Sequence, residues 1–183
     1  MENKLSPTLR GLVLRTAVVH TLTYFAVGFL AFTVFDYSQS FADPGLRDYM
    51  RQTSDPLVMA GVLFQPIRGA LFGIVFYLLR DVLFRRGGWW VTWVTLVIIG
   101  IISPFGPAPG SIEGVIYTKL SIAAVWGGLI EVVVQSLLLS TLLFYWVTRP
   151  RKRWLDWLLI VLFIVALGLP ALGLLSQPVS SGS

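Results

Sequence analysis

The sequence predicts an all-α, polytopic membrane bundle of five transmembrane helices, with the N-terminus cytoplasmic and the C-terminus outside. Three observations predict it. Of 183 residues, 56% are hydrophobic and 13% charged, with a mean hydropathy of +0.78, whereas a soluble globular chain carries about 25% charged residues and under half apolar ones. Five apolar runs of helix length follow one another, and the lysines and arginines gather in alternate connections between them. A soluble enzyme, a disordered regulator and a secreted disulfide scaffold are set aside at once.

A helix needs about 20 apolar residues to cross a hydrocarbon core of about 30 Å. Cutting the chain at its charges leaves runs at 16–35, 56–79, 87–103, 120–148 and 154–175. The third is short, and the fourth is long enough to tilt. Lys4, Arg10 and Arg15 precede span 1; Arg80, Arg85 and Arg86 separate spans 2 and 3; Arg149, Arg151, Lys152 and Arg153 separate spans 4 and 5. These ten face Arg47, Arg51 and Lys119 on the other side, which holds Asp36, Asp43, Asp48, Asp55 and Glu113. The bias of Lys and Arg toward cytoplasmic loops gives the orientation and suits the bacterial inner membrane. It also accounts for the net charge of +5 without a nucleic-acid partner, since the cations lie between apolar runs. Trp89, Trp90, Trp93, Trp146, Trp154 and Trp157 fall near the same face, where indole rings prefer to sit.

Span 1 is read as a membrane helix and not a signal peptide, because its 20 apolar residues exceed the usual signal core of about 7–15. The final Ser180–Ser183 stretch is either a native tail or the remnant of an expression linker.

Two loops carry pattern. In 43–52, Asp43 suits a helix cap and Pro44 the first helical position, with Leu46, Tyr49 and Met50 on one face and Arg47, Asp48 and Arg51 opposite. This predicts an amphipathic helix on the outer surface, serving either as a cap over the bundle or as a gate or docking surface. The loop 104–114 holds three prolines and three glycines but one charge, Glu113. It reads as a re-entrant lid or as a rigid turn; irregular backbone at membrane depth requires burial in protein or a water-filled cavity.

The polar residues inside the spans carry the most information. Span 2 contains Gln65, Pro66 and Arg68, and span 4 contains Glu131 and Gln135. A charge at the bilayer centre costs about 2.5–3.5 kcal/mol on insertion scales, so such groups face the interior and find partners. Counted from their outer ends, Arg68 is the thirteenth residue of span 2 and Glu131 the twelfth of span 4. Equal depth predicts an Arg68–Glu131 ion pair. Gly69, Gly73 and Gly127 predict close helix packing beside it, and Pro66 a kink in span 2. The polar group reads either as a lock that fixes which helices meet or as a site for a polar ligand or proton.

His20, the sole histidine, could ligate a haem or chlorophyll through one nitrogen, or simply hydrogen-bond to a neighbouring helix. With one histidine and no cysteine, the usual zinc ligand sets are missing and no metal site is expected. A serine-protease pairing of His20 with Ser103 or Ser111 fails on depth, no two aspartates share the spans, and phosphate-binding glycine motifs are lacking. No residue motif ties the chain to a known family. The expectation is a non-enzymatic accessory or assembly subunit of a larger membrane complex. The alternative is a small, dimeric transporter or channel using Arg68, Glu131, Gln65 and Gln135 as its midplane site.

Overall fold

The computed structural model describes residues 7–149 and 152–176 and contains no strand among them. Lys4, Arg151 and Ser180–Ser183 lie outside the described residues. The helices are α1 (Leu9–Val34), α2 (Tyr37–Ser40), α3 (Pro56–Met59), a 3-10 segment (Ala60–Phe64), α4 (Gln65–Leu78), α5 (Arg80–Leu83) and α6 (Gly88–Val97). There follow a π segment (Ile98–Ile102), α7 (Ile112–Tyr117), α8 (Ile122–Thr148) and α9 (Arg153–Leu175). The described residues are thus all-helical, compatible with a helical membrane bundle, and four of their helices are long and apolar enough to cross a bilayer: Leu9–Val34, Pro56–Leu78, Ile122–Thr148 and Arg153–Leu175.

The third predicted span is the exception. Gly88–Ile102 is a shorter apolar helix, whose 15 residues reach only about 22 Å at 1.5 Å each. Its last turn widens to π geometry, with the Ser103 N–H donating to the Ile98 carbonyl at 2.7 Å, and Pro104 then ends it. The α1 helix starts earlier than its apolar run because Thr8 caps it, its hydroxyl accepting the Gly11 N–H at 3.2 Å. Ser121 caps α8 in the same way through Ala124, at 3.2 Å.

The predicted surface helix at 43–52 does not form. Leu46 and Arg47 donate to the Asp43 carbonyl, and Tyr49 and Met50 to that of Leu46, which makes successive turns. Gly45 sits at the second helical position of a segment too short to offset a costly helix nucleus, and the Asp43 carboxylate takes the Gly45 N–H at 2.9 Å. One side chain of the predicted apolar face, Leu46, is nevertheless buried at 6% exposure, whereas Tyr49 is exposed.

At the centre of the bundle, α1 packs against α4, α8 and α9, while α6 packs against α8. Glycines set the closest of these contacts. A Cβ on Gly69 would stand 2.7 Å from the Ala17 Cα, and one on Gly73 2.7 Å from the Val13 Cα, so the G-x-x-x-G step of α4 brings it backbone to backbone with α1. Gly127 of α8 rests on Phe35, just past the end of α1. The three glycines therefore seat their helices on α1 and its end, not on each other as equal depth suggested.

The tightly packed core lies toward one end. Leu12, Val19, Phe76, Leu83, Leu139, Leu143 and Trp146 form it, near the end where Arg10, Arg15, Arg80 and Arg153 enter the helices. There Arg15 donates to the Trp146 carbonyl at 3.1 Å, and the Trp146 indole donates to Asp156 at 2.8 Å, stapling α1, α8 and α9. Inward-facing Thr16, Thr21 and Ser140 return their hydroxyls to carbonyls four residues back, which satisfies them without partners on other helices.

Candidate functional site

The opposite half of the bundle is hollow. The α4 and α6 helices are joined through α5 at the basic end, but neither α4 nor the 3-10 segment packs extensively on α6, the π segment or α8. The resulting cleft holds a cavity of about 880 Å³, within the size range of small-molecule sites. Its walls include Tyr24, Phe25 and Gly28 of α1, Val62 and Arg68 of span 2, Gly100 and Ile101 of the π segment, and Gly128, Glu131 and Gln135 of α8. Leu46, Tyr49 and Met50 from the turns, with Ala108 and Pro109 from the proline loop, close over its mouth.

Glycine creates the hollow. A Cβ on Gly100 or Gly128 would meet nothing within 4 Å, and one on Gly61 would lie 3.7 Å from the Tyr24 hydroxyl. Together with Gly28 these residues remove side chains from every wall of the cleft. None of the four was singled out in the sequence, where glycine suggested packing alone; the available signal was that Gly128 precedes Glu131 by three residues and Gly61 precedes Gln65 by four, on the same helix faces.

Both predicted charges line this cavity, but no ion pair joins them. The ion pairs among the described residues are Arg47–Asp48 at 3.6 Å and Arg51–Asp55 at 2.9 Å. Glu131 instead accepts the Tyr37 hydroxyl at 2.5 Å, and the Arg68 guanidinium lies 5.6 Å from the Phe72 ring centroid. The reason is lateral: span 2 and α8 each pack on α1 and diverge across the cleft, so equal depth does not become contact. Gln135, only 7% exposed, opens into the cavity with no hydrogen-bond partner among the described residues. Arg68 likewise has no hydrogen-bond acceptor among them.

Gln65 is placed differently, through a chain of causes that begins at Pro66. Proline has no N–H to offer the Val62 carbonyl. The Gln65 N–H takes that carbonyl in an i+3 bond, and the helix tightens to 3-10 geometry ahead of the proline, where the kink was expected. The Gln65 side chain then folds back, donating its amide to the Gly61 carbonyl at 3.0 Å and leaving its oxygen at 3.1 Å from His20 Nε2. That oxygen only accepts, so Nε2 carries the proton and Nδ1 is bare. Nδ1 is buried and has no partner among the described residues.

The His20 ring borders a second, smaller cavity. Nε2 is committed to Gln65, and the space next to the ring is a cavity of about 60 Å³ shared with Arg68, Phe72, Gln135 and Ser136. That small cavity and the large one share Arg68, Gly100, Ile101, Val132 and Gln135, so the cleft narrows at these residues toward His20 and ends on the packed core.

The proline loop is held by Ser111, which is fully buried. Its hydroxyl donates to the Ala108 carbonyl at 2.7 Å and accepts the Gly114 N–H at 3.0 Å. A Cβ on Gly114 would collide with that carbonyl at 2.0 Å, and Gly110, at φ +78°, sits on Leu129. At the mouth of the cleft, Arg51 and the Leu57 N–H both donate to Asp55, and the Arg51 guanidinium, followed by that N–H, holds the Asp55 carboxyl below its ordinary range.

Comparison with models of protein families, with curated proteins and with solved structures finds no match. The functional reading rests on the cleft.

Proposed function

We propose that this membrane protein binds a small molecule bearing polar groups in the cleft, as a transporter or substrate-capture protein does, and performs no chemistry on it. One observation carries the reading: Arg68, Glu131 and Gln135 line a single cavity of about 880 Å³ with hydrogen-bonding capacity that the protein leaves unused. A lock that merely fixed helix neighbours would pair its charges and exclude space. Leaving the buried Gln135 amide without a partner costs about 1–3 kcal/mol, and a cavity to receive a ligand is the use that offsets it. The proline-induced break beside Arg68 resembles the interrupted helices with which transporters line their sites. With the basic end cytoplasmic, as in a bacterial inner membrane, the cleft faces outward and the packed core closes the inner half.

The test is native mass spectrometry of the protein extracted from its own membrane in mild detergent, wild type beside Gly128→Leu. The leucine fills the cavity where a Cβ meets nothing. A small molecule retained by the wild type and lost from the variant supports the reading; equal retention overturns it.

A second reading, an accessory subunit of a larger complex, is favoured by α9, of which Ala166 is the one buried residue. Its long exposed apolar surface suits a partner helix as well as lipid. Heteromeric masses in the same spectra support that reading.

A further inference from the structure

Resting on that reading of the cleft, we infer that its ligand class is a zwitterionic amphiphile, carrying an ammonium group for Glu131 and a phosphate or carboxylate for Arg68. Three observations define the chemistry. First, the two charges lie in one cavity without pairing, so a ligand that neutralises both must itself carry both signs. A simple anion would leave the carboxylate unmatched at membrane depth, and a simple cation would leave the guanidinium so.

Second, the surroundings of Glu131 suit an ammonium. Tyr37 holds one carboxylate oxygen at 2.5 Å; the other lies beside Gly28, where even a Cβ would stand 3.4 Å away. Tyr37 stacks on Phe41 with ring centroids 5.1 Å apart, and Tyr24 and Phe25 line the same cavity. Aromatic faces grouped beside a carboxylate are how proteins hold ammonium groups. Arg68 presents a planar fork of donors that matches phosphate and carboxylate oxygens, and Gln135 can donate or accept between the two.

Third, the remaining walls are apolar and the cleft has a side opening. Phe29, Phe32 and Val58 line it and are themselves exposed. Among the described residues no helix closes the gap between α4 and the π segment, where Arg68 and Gly100 are exposed. A hydrocarbon portion can therefore lie along the aromatic wall or extend into the bilayer while the head group reaches Arg68.

The experiment titrates three probes onto the whole protein in a nonionic detergent: a short-chain phosphatidylethanolamine, a phosphatidylglycerol with the same chains, and water-soluble phosphoethanolamine. The two lipids share a phosphate and differ in the ammonium. The expected result is a preference of the wild type for phosphatidylethanolamine by about tenfold or more, the scale of a close desolvated charge pair. Glu131→Gln should erase that preference while leaving phosphatidylglycerol binding within about twofold, and Arg68→Gln should weaken both lipids. Phosphoethanolamine binding as tightly as the lipid supports the zwitterion and names a free solute as its source; weaker binding by the solute names a lipid.

Equal binding of the two lipids by the wild type overturns the zwitterion whether or not the variants fold. If no probe binds while Gly128→Leu still expels a molecule retained from the native membrane, the ligand class falls and the site stands. If Gly128→Leu expels nothing, the site itself falls.

Discussion

His20 donates its Nε2 proton to the Gln65 side-chain oxygen at 3.1 Å, and the orientation of that oxygen is set by Pro66, one residue further along the chain. The tautomer of the only histidine is thus a consequence of a missing backbone N–H on another helix. Because there is one histidine, its ¹⁵N signals are unambiguous. We expect a single Nε2–H tautomer in the wild type and a mixture of tautomers in Gln65→Leu, read from the ring nitrogen shifts. An Nδ1–H form in the wild type would refute the arrangement. Gln65→Leu should also lower stability by about 1–3 kcal/mol, the cost of a buried donor left without its acceptor.

Two glycines, Gly69 of α4 and Gly128 of α8, should respond oppositely to alanine. A Cβ at Gly69 meets the Ala17 backbone at 2.7 Å, whereas one at Gly128 meets nothing within 4 Å. Gly69→Ala forces α4 away from α1 and should cost about 1–3 kcal/mol, as overpacking does. Gly128→Ala relieves a helix interior of glycine and should be neutral or stabilising by up to about 1 kcal/mol. Thermal unfolding in one detergent compares them directly; similar losses at both sites would contradict the division between packing and hollowing glycines.

The lateral arrangement of these residues was not legible in the sequence. Apolar run length and charge spacing follow from what the bilayer demands of any helix, so the four long helices were marked by their composition. Depth counting placed Arg68 and Glu131 at one level, and they do line one cavity. Nothing in two separate spans, however, states which third helix lies against them, and α1 takes the contacts of both. The short predicted helix at 43–52 failed for a different reason: its apolar spacing was read as helix, but turns suffice to bury Leu46 over the cleft.

The mouth of the cleft should respond to acid. Asp55 caps α3 through the Leu57 N–H at 2.8 Å and accepts Arg51 at 2.9 Å, and both contacts lower its folded-state pKa. A lowered folded pKa means that the contribution to stability is fully present above the unfolded value, about 3.9, and is lost as pH falls through the folded one. The difference in unfolding temperature between wild type and Asp55→Ala should therefore be small but measurable at pH 6, about 1–3 °C for an exposed pair and cap, and should shrink toward zero below pH 3. A difference that grew on acidification would reverse the sign and exclude this role for the carboxylate.

The relation between Arg68 and Glu131 separates equal depth from contact most directly. If the two charges formed a buried pair, the single variants Arg68→Gln and Glu131→Gln would each strand the other charge, and the double variant would recover much of the loss. Contacting residues of this kind show interaction energies of about 0.5–3 kcal/mol in a double-mutant cycle. Here Glu131 is held by Tyr37 and Arg68 lies over Phe72, so each neutralisation acts on its own surroundings. We expect the two effects on thermal unfolding to add within about 0.5 kcal/mol, the behaviour of independent sites. We also expect Tyr37→Phe to couple to Glu131→Gln by more than that, because those two side chains do share a hydrogen bond. A strong Arg68–Glu131 coupling in the ligand-free protein would mean that the cleft closes on itself, and the site would then have no room for a zwitterion.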